Sequence, residues 1–540
     1  MDDISSNFSE KLKLKNKLSH FPKPVVLLII SGWGIAPASA SNLISQAETP
    51  NFDTISSSYK TFVLNASGEE VGLLPGQPGN SKIGSLNIGS GRIIYQPKLK
   101  IDRAIKNNSF FSNSSLLNAF NWAKKNNSAV HLLGLVSSAE IHSSLNHLIA
   151  LLRLAKRKRV KKLYLHLFLD GLDAAPDEGI KIVQRIEKEI KKLKIGEIAS
   201  LTGRIYAMDR DNHWRMTERT YLALTSGETE SKAIYPGAAI LKFYQQGTYD
   251  KEILPTIIVR KSKPIGLIKN KDSLIFFNFR SDRMRQLVES FVRTEFTKFE
   301  RKKFLKDLFV LTFTSYGKDL KTNVAFPSEK IVNSLGEVLA KKGISQARLA
   351  DAEGFSYVTY FFNGEREEPF PQEEDILIPS ANLSPTEQSP AMAVPKITKT
   401  LIQYILDNKF DFFVVNFSNL KVISSAQNKE AVIKAIEVVD QALRNIKEIV
   451  LSKNGILLIT SDHGRVEDFI NLPTGEIKRE STINPVPFIL VGNQWEEKGG
   501  EKGFDLSLLK PKGKLADIAP TILKILRIRK PKEMTGRSLI

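Results

Sequence analysis

Residues 66–96 read ASGEEVGLLPGQPGNSKIGSLNIGSGRIIYQ, and inside them stands Gly79-Asn80-Ser81-Lys82-Ile83-Gly84-Ser85. Small neighbours leave a serine room to project an exposed hydroxyl, so Ser81 is a candidate nucleophile. The competing explanation is a turn serine kept for backbone geometry. Outward from this stretch, short apolar runs alternate with helical patterns. Val25–Ile30, His131–Val136, Leu163–Leu169, Leu274–Asn278, Phe412–Asn416 and Ile456–Thr460 read as strands. Gly32-Trp33-Gly34 reads as a turn after the first. Lys181 to Leu193 places Ile182, Ile186, Ile190 and Leu193 at helical spacing. The alternation predicts α/β layers with largely parallel sheets. Two of the strands run into polar residues, Ser461-Asp462-His463-Gly464 and Ser418-Asn419. Ligands of open α/β sheets gather beyond the carboxyl ends of strands, so these are candidate site residues.

The bulk properties bound the reading. A chain of 540 residues is too long for one core and implies two or more domains. With no cysteine there is no disulfide, no thiolate metal ligand and no cysteine nucleophile, which fits a reducing compartment. The start of the chain lacks the basic and apolar regions of a secretory signal, and Val25–Ile30 is too short to span a bilayer. The expectation is a cytoplasmic protein with no membrane partner. Residues 1–23 read as a basic tail closed by Pro22 and Pro24. The net charge of +20 attracts anionic metabolites and polyanions. The densest basic run, Lys156 to Lys162, reads either as the solvated end of a helix or as a nucleic-acid or membrane-surface patch. No aromatic residue interleaves with it, so base stacking is not indicated.

The Ser81 segment resembles the nucleophile segment of cofactor-independent phosphoglycerate mutases. The resemblance extends, in order, through VVLLIISGWGI, IHSSLNHLIALLRLAK, FLDGLDAAP, TGRIYAMDRD, FFNFRSDR, ITSDHG, NPVPFIL and LADIAPTIL. It implies an alkaline-phosphatase-like domain built from residues 24–95 and 329–540. A second α/β domain, carrying substrate-binding groups, is then inserted over residues 96–328. Ser81 would accept the phosphoryl group of phosphoglycerate and return it to the other hydroxyl, beside two divalent ions, usually manganese. Arg204, Arg210, Arg280 and Arg283 match the family's anion-binding arginines. His142 and Asp173 match its substrate-contacting histidine and aspartate.

The same resemblance implies losses. One ligand set falls on Ser31, Ser81, Asp462 and His463, with Ser31 in place of an aspartate. The other falls on Lys421, Ser425 and Ser481, where the family has aspartate, histidine and histidine. Ser81, Asp462 and His463 remain as a weak site, and the four other positions are replaced. Leu172 stands at an arginine position, Gly354 at that of a lysine used in phosphoryl transfer, and Lys82 and Ser85 at those of a glutamate and a histidine. Lys82 and Lys421 are new cations that could take over metal charge. Manganese prefers carboxylate, imidazole and water, and a lysine repels it, so the expectation is a mutase homologue that is inactive or strongly impaired. Three alternatives stay open. They are an active mutase with altered metal use, a one-metal hydrolase or phosphotransferase, and a non-catalytic protein that binds a phosphate ester, a polyanion or nucleic acid.

Overall fold

The structure is a computed structural model that describes residues 21–379, 389–497 and 505–540. The basic tail expected over residues 1–23 lies outside the described residues up to residue 20. The chain divides into two units, one from Met1–Gln96 with Lys330–Ile540 and one from Pro97–Glu329. We call them the split unit and the inserted unit.

The split unit is organised by Val25–Ile30, whose six residues are all buried. Val26, Leu28 and Ile30 enter one apolar core, with Val432, Ile436 and Leu443 of the long helix Lys429–Ser452. Val25, Leu27 and Ile29 enter another, with Ile83 and Leu86 of the helix Ser81–Ser90 and Ile522 of Ile518–Ile525. A strand covered on both faces needs an uninterrupted apolar run rather than alternation, and VVLLII supplies it. The sheet order is Glu373–Ile378, Gln346–Asp351, Phe412–Phe417, Val25–Ile30, Ile456–Thr460, Val486–Val491, Lys60–Asn65 and Gly513–Lys514. The first five strands run parallel. Ile30 pairs with Phe417, and Ile29 with Thr460. Ser31, Ser418 and Ser461-Asp462-His463 therefore leave neighbouring strands at the same carboxyl edge.

The inserted unit repeats the principle with Val130–Val136, Leu163–Leu169, Glu197–Gly203, Ser273–Phe276 and Phe309–Thr312, all parallel to their neighbours within that set. Val130 and Leu132 face one core, and Leu133 and Leu135 the other. Asp170 and Arg204 follow directly on two of these strands. The expected α/β architecture with a second α/β unit interrupting the first is what the chain adopts.

Four boundaries differ from the sequence pattern, two of them by one residue, since Val130–Val136 starts one earlier and Phe412–Phe417 ends one later than expected. The strand expected at Leu274–Asn278 is Ser273–Phe276, because Asn278 turns its side-chain oxygen to accept from Leu135 N at 2.9 Å. The helix expected at Lys181–Leu193 starts at Gly179, whose N–H donates to Asp250 at 2.7 Å. The basic run closes the helix Leu145–Arg157, where cations meet unpaired carbonyls. Arg157 also lies 3.9 Å from the Phe111 ring centroid. Among the described residues no helix is long and apolar enough to cross a membrane.

Candidate active site

In the inserted unit, the carboxyl ends of the parallel strands carry a dense set of opposite charges. Arg204 is 3% exposed and sits on two carboxylates, bonding Asp170 through Nη1 and reaching Asp173 at 2.6 Å. Asp170 also accepts from Ser137 Oγ at 2.6 Å, so its ionised form is favoured despite burial and its pKa lies below the usual carboxylate range. Arg204 Nη2 donates to His142 Nε2 at 3.2 Å. Burial, then the charges of Arg204 and Arg280, push the His142 pKa down to about 4. His142 is therefore neutral near pH 7. With Nε2 accepting, its proton lies on Nδ1, a buried atom with no partner. Arg210 and Arg280 are both exposed, and both bond Asp282, at 2.9 Å and at 3.0 and 3.1 Å. Arg283 lines a cavity of about 220 Å³ with Arg204 and the exposed Leu172. The predicted arginines, His142 and Asp173 thus share one region of the inserted unit. Asp170 and Asp282, which set the charge balance there, lay inside the quoted motifs but were not singled out. Four guanidinium groups face Asp170, Asp173, Asp282 and Asp211, the last 3.9 Å from Arg210, so the two charges are equal in number.

The second cluster belongs to the split unit. Asn80 caps the helix Ser81–Ser90, its side chain accepting from Ile83 N at 3.0 Å, so Ser81 is the first helical residue. The expectation of an exposed hydroxyl fails, since Ser81 is 3% exposed. The flanking glycines serve a different purpose. A Cβ on Gly84 would lie 2.5 Å from the Asp462 carbonyl oxygen, and one on Gly79 3.0 Å from His463 Cβ. Their absence lets the helix press against the Asp462-His463 segment and bury the serine there. Ser81 Oγ lies 3.1 Å from His463 Nε2, while His463 Nδ1 lies 3.1 Å from the Gly464 carbonyl. Since a carbonyl can only accept, Nδ1 carries the proton and Nε2 accepts from the Ser81 hydroxyl.

Two buried carboxylates here differ in kind. Glu467 accepts from Gly34 N at 3.1 Å, Arg465 N at 2.7 Å, Asn484 Nδ2 at 3.2 Å and the Thr482 hydroxyl, so its oxygens are satisfied. Asp462, fully buried, accepts only from Ser31 Oγ at 3.0 Å, and its Oδ1 has no partner. That free oxygen lies 3.7 Å from His463 Nε2. Ser31 in turn accepts from Asn416 Nδ2 at 2.9 Å. Gly354 packs against Asn416 so closely that a Cβ would lie 2.4 Å from its side-chain oxygen.

The remaining expected positions are engaged elsewhere. Lys421 Nζ bonds the Tyr357 hydroxyl at 3.1 Å and lies 4.3 Å from that ring's centroid. Ser425 donates to the Lys421 carbonyl at 3.3 Å and accepts from Arg465 Nη2 at 3.3 Å. Ser481 lines an open cavity of about 470 Å³ with Pro78, Asp468 and Arg479. Lys82 turns to Glu365 at 3.3 Å, so it carries no free charge. Arg465, which sequence reasoning passed over, bonds Ser424 and Ser425.

Comparison with known proteins decides the family. The 2,3-bisphosphoglycerate-independent phosphoglycerate mutase of Clostridium perfringens is 42% identical over 519 residues, covering 96% of this chain and 99% of its own. The chain belongs to the 2,3-bisphosphoglycerate-independent phosphoglycerate mutase family. The mutase of Moorella thermoacetica is 41% identical over 518 residues, covering 96% and 98%. The model of the family's N-terminal region, "BPG-independent PGAM N-terminus", matches residues 101–318. A crystal structure of Leishmania mexicana phosphoglycerate mutase at low cobalt concentration aligns with a TM-score of 0.51 at 26% identity, over 96% of this chain and 97% of that one.

Membership in this mutase family raises the question of metal ions, and the donor atoms answer it unevenly. Asp462 Oδ1, His463 Nε2 and Ser81 Oγ converge at separations that one cation could bridge, and the unpartnered Oδ1 is the atom such an ion would satisfy. Lys421, Ser425 and Ser481 offer an ammonium and two hydroxyls, a set that does not fit a second divalent ion. Among the described residues, the one grouping of three Asp, Glu or His ligand atoms within 4.8 Å is Asp209, Asp211 and His213, in the inserted unit.

Proposed function

We propose that this chain binds phosphoglycerate, or a closely similar phosphate ester, and has lost or strongly impaired two-ion mutase chemistry. The reading is carried by the set of Lys421, Ser425 and Ser481, which presents no anionic donor where the family resemblance expects three ligands. Losing one Lewis acid removes several kcal/mol of transition-state stabilisation, and roughly one decade of rate goes with each 1.4 kcal/mol. In this reading the arginines of the inserted unit hold the anionic ends of the ester. Arginine suits both carboxylate and phosphate because its planar fork makes paired bonds. Neutral His142 offers its Nδ1 proton to an ester oxygen. Leu172 withholds one anion contact. A cytoplasmic place is consistent with a chain free of cysteine.

A second reading has an observation of its own. Ser81 points its proton at His463 Nε2, and Asp462 keeps a free oxygen beside it. These three residues would hold one divalent ion, manganese by resemblance, which when bound would neutralise phosphate charge. Slow turnover through a single ion is then the outcome. The experiment is a mutase assay with manganese on the purified chain, with metal analysis and a Ser81→Ala control. The proposal expects at most one bound ion and no turnover, together with 3-phosphoglycerate binding that Arg280→Gln weakens. Fast turnover abolished by Ser81→Ala, or two bound ions, would refute it.

A further inference from the structure

Arg465 follows Gly464, which bridges to Gly32 at the carboxyl edge of the split unit's sheet. Its backbone is pinned by the bond from Arg465 N to Glu467. The side chain crosses to the segment after Phe412–Phe417 and bonds the hydroxyls of Ser424 and Ser425. It is half-buried. No carboxylate among the described residues pairs with it. Lys421, four residues before Ser425, is also half-buried and rests on a phenol, again with no carboxylate among the described residues. A Cβ on Gly32 would lie 3.4 Å from Arg465 Cβ and 3.6 Å from Lys421 N, so both residues pack on the turn that carries Ser31. Asp462, the nearest acid in the chain to Arg465 on its N-terminal side, is tied to Ser31.

Two cations held on neutral partners, with water partly removed, are costly unless an anion joins them. We propose that Arg465 and Lys421, with the Ser425 hydroxyl, form a metal-free site for a phosphate group. A guanidinium would then stand where the family resemblance places the second ion's ligands. The inference rests on the reading above, that this second ion is not bound. Arg465 keeps two donors fixed on serines and offers the rest of its fork to phosphate oxygens. Lys421 swings from Tyr357 as a point charge.

Calorimetric titration of the full chain with inorganic phosphate in chelator tests it. Wild type binds, Arg465→Gln weakens binding by roughly tenfold or more, and Arg465→Lys, which keeps the charge, loses less. Lys421→Met weakens it by a smaller factor. Lys192→Gln, on the exposed last turn of the helix Gly179–Leu193, leaves this isotherm in place. Displacement by 3-phosphoglycerate assigns the phosphate to an ester, and lack of displacement assigns it to free phosphate; both support the site. Absence of binding in chelator, binding that requires added manganese, or equal affinity in Arg465→Gln overturns it. Manganese-dependent turnover reports separately on the proposed function, so an inactive chain that ignores phosphate loses this inference alone.

Discussion

Arg204 in the inserted unit is buried and Arg465 in the split unit is half-buried, and they are compensated differently. Arg204 lies on Asp170 and Asp173, with His142 held neutral beside it. Arg465 lies on two serine hydroxyls. The same contrast separates Glu467, with donors on both oxygens, from Asp462, with one oxygen unpartnered. Groups whose charge is balanced inside the protein hold the structure together. Groups left unbalanced point to something the chain takes from outside. By that measure the inserted unit has a cluster of arginines with its own counter-charges. The split unit has, around Ser81 and Asp462, a cluster whose electrostatics are incomplete.

Four experiments would break or sharpen this contrast. The largest effect is expected from building in together the ligands that the proposed reading takes as lost, with Ser31→Asp, Lys421→Asp, Ser425→His and Ser481→His. Manganese content should rise to two ions, and mutase turnover by roughly three decades or more, if the deficit is Lewis-acid charge. A rebuilt protein that binds two ions without gaining turnover would move the fault to Gly354 or Leu172. Next, Arg204→Ala should destabilise the chain by about 3–5 kcal/mol in a denaturant melt, since it strands two aspartates. Arg280→Ala, at an exposed ion pair, should cost at most about 1 kcal/mol while weakening 3-phosphoglycerate binding. Equal losses of stability would erase the distinction between structural and ligand-facing arginines.

A smaller effect is expected between the carboxylates. Glu467→Gln sets an amide NH2 either against Arg465 N and Gly34 N, which meet Oε2, or against Thr482 and Asn484 Nδ2, which meet Oε1, and should cost about 1–3 kcal/mol. Asp462→Asn should leave the melting temperature unchanged or raise it, because it removes a buried charge with one bond. The smallest is a pH effect. The fold depresses the His142 pKa from 6.5 to about 4, so its neutral form contributes stability in full above pH 6.5. That contribution should fade as pH drops from about 6.5 to about 4. Urea melts across this window should show a shallower fall for His142→Asn than for wild type. Identical slopes would place His142 in a more solvated setting.

Much of the architecture was legible because it follows from local patterns. VVLLII and ILLIT each form a strand at the ends expected, since a doubly covered strand writes itself as a continuous apolar run. The order of motifs marked His142, Asp173 and the four arginines, and the structure brings them to one region. Ser81 was found but misread. Glycines around it suggested exposure, whereas they permit burial, because a missing Cβ looks the same in sequence whether it opens space to solvent or to another segment. Lys82 and Lys421 looked equivalent as new cations. Only the position of Glu365 shows that one of them is already neutralised.

The sequence by itself determined the layered α/β class, the family and the residue types at each expected ligand position, since these depend on local periodicity and on side-chain chemistry. Only the tertiary structure decided which charges are balanced. That depends on distances between residues far apart in the chain, such as Ser31 with Asp462 and Ser425 with Arg465, and Coulombic compensation is a property of space rather than of order along the backbone.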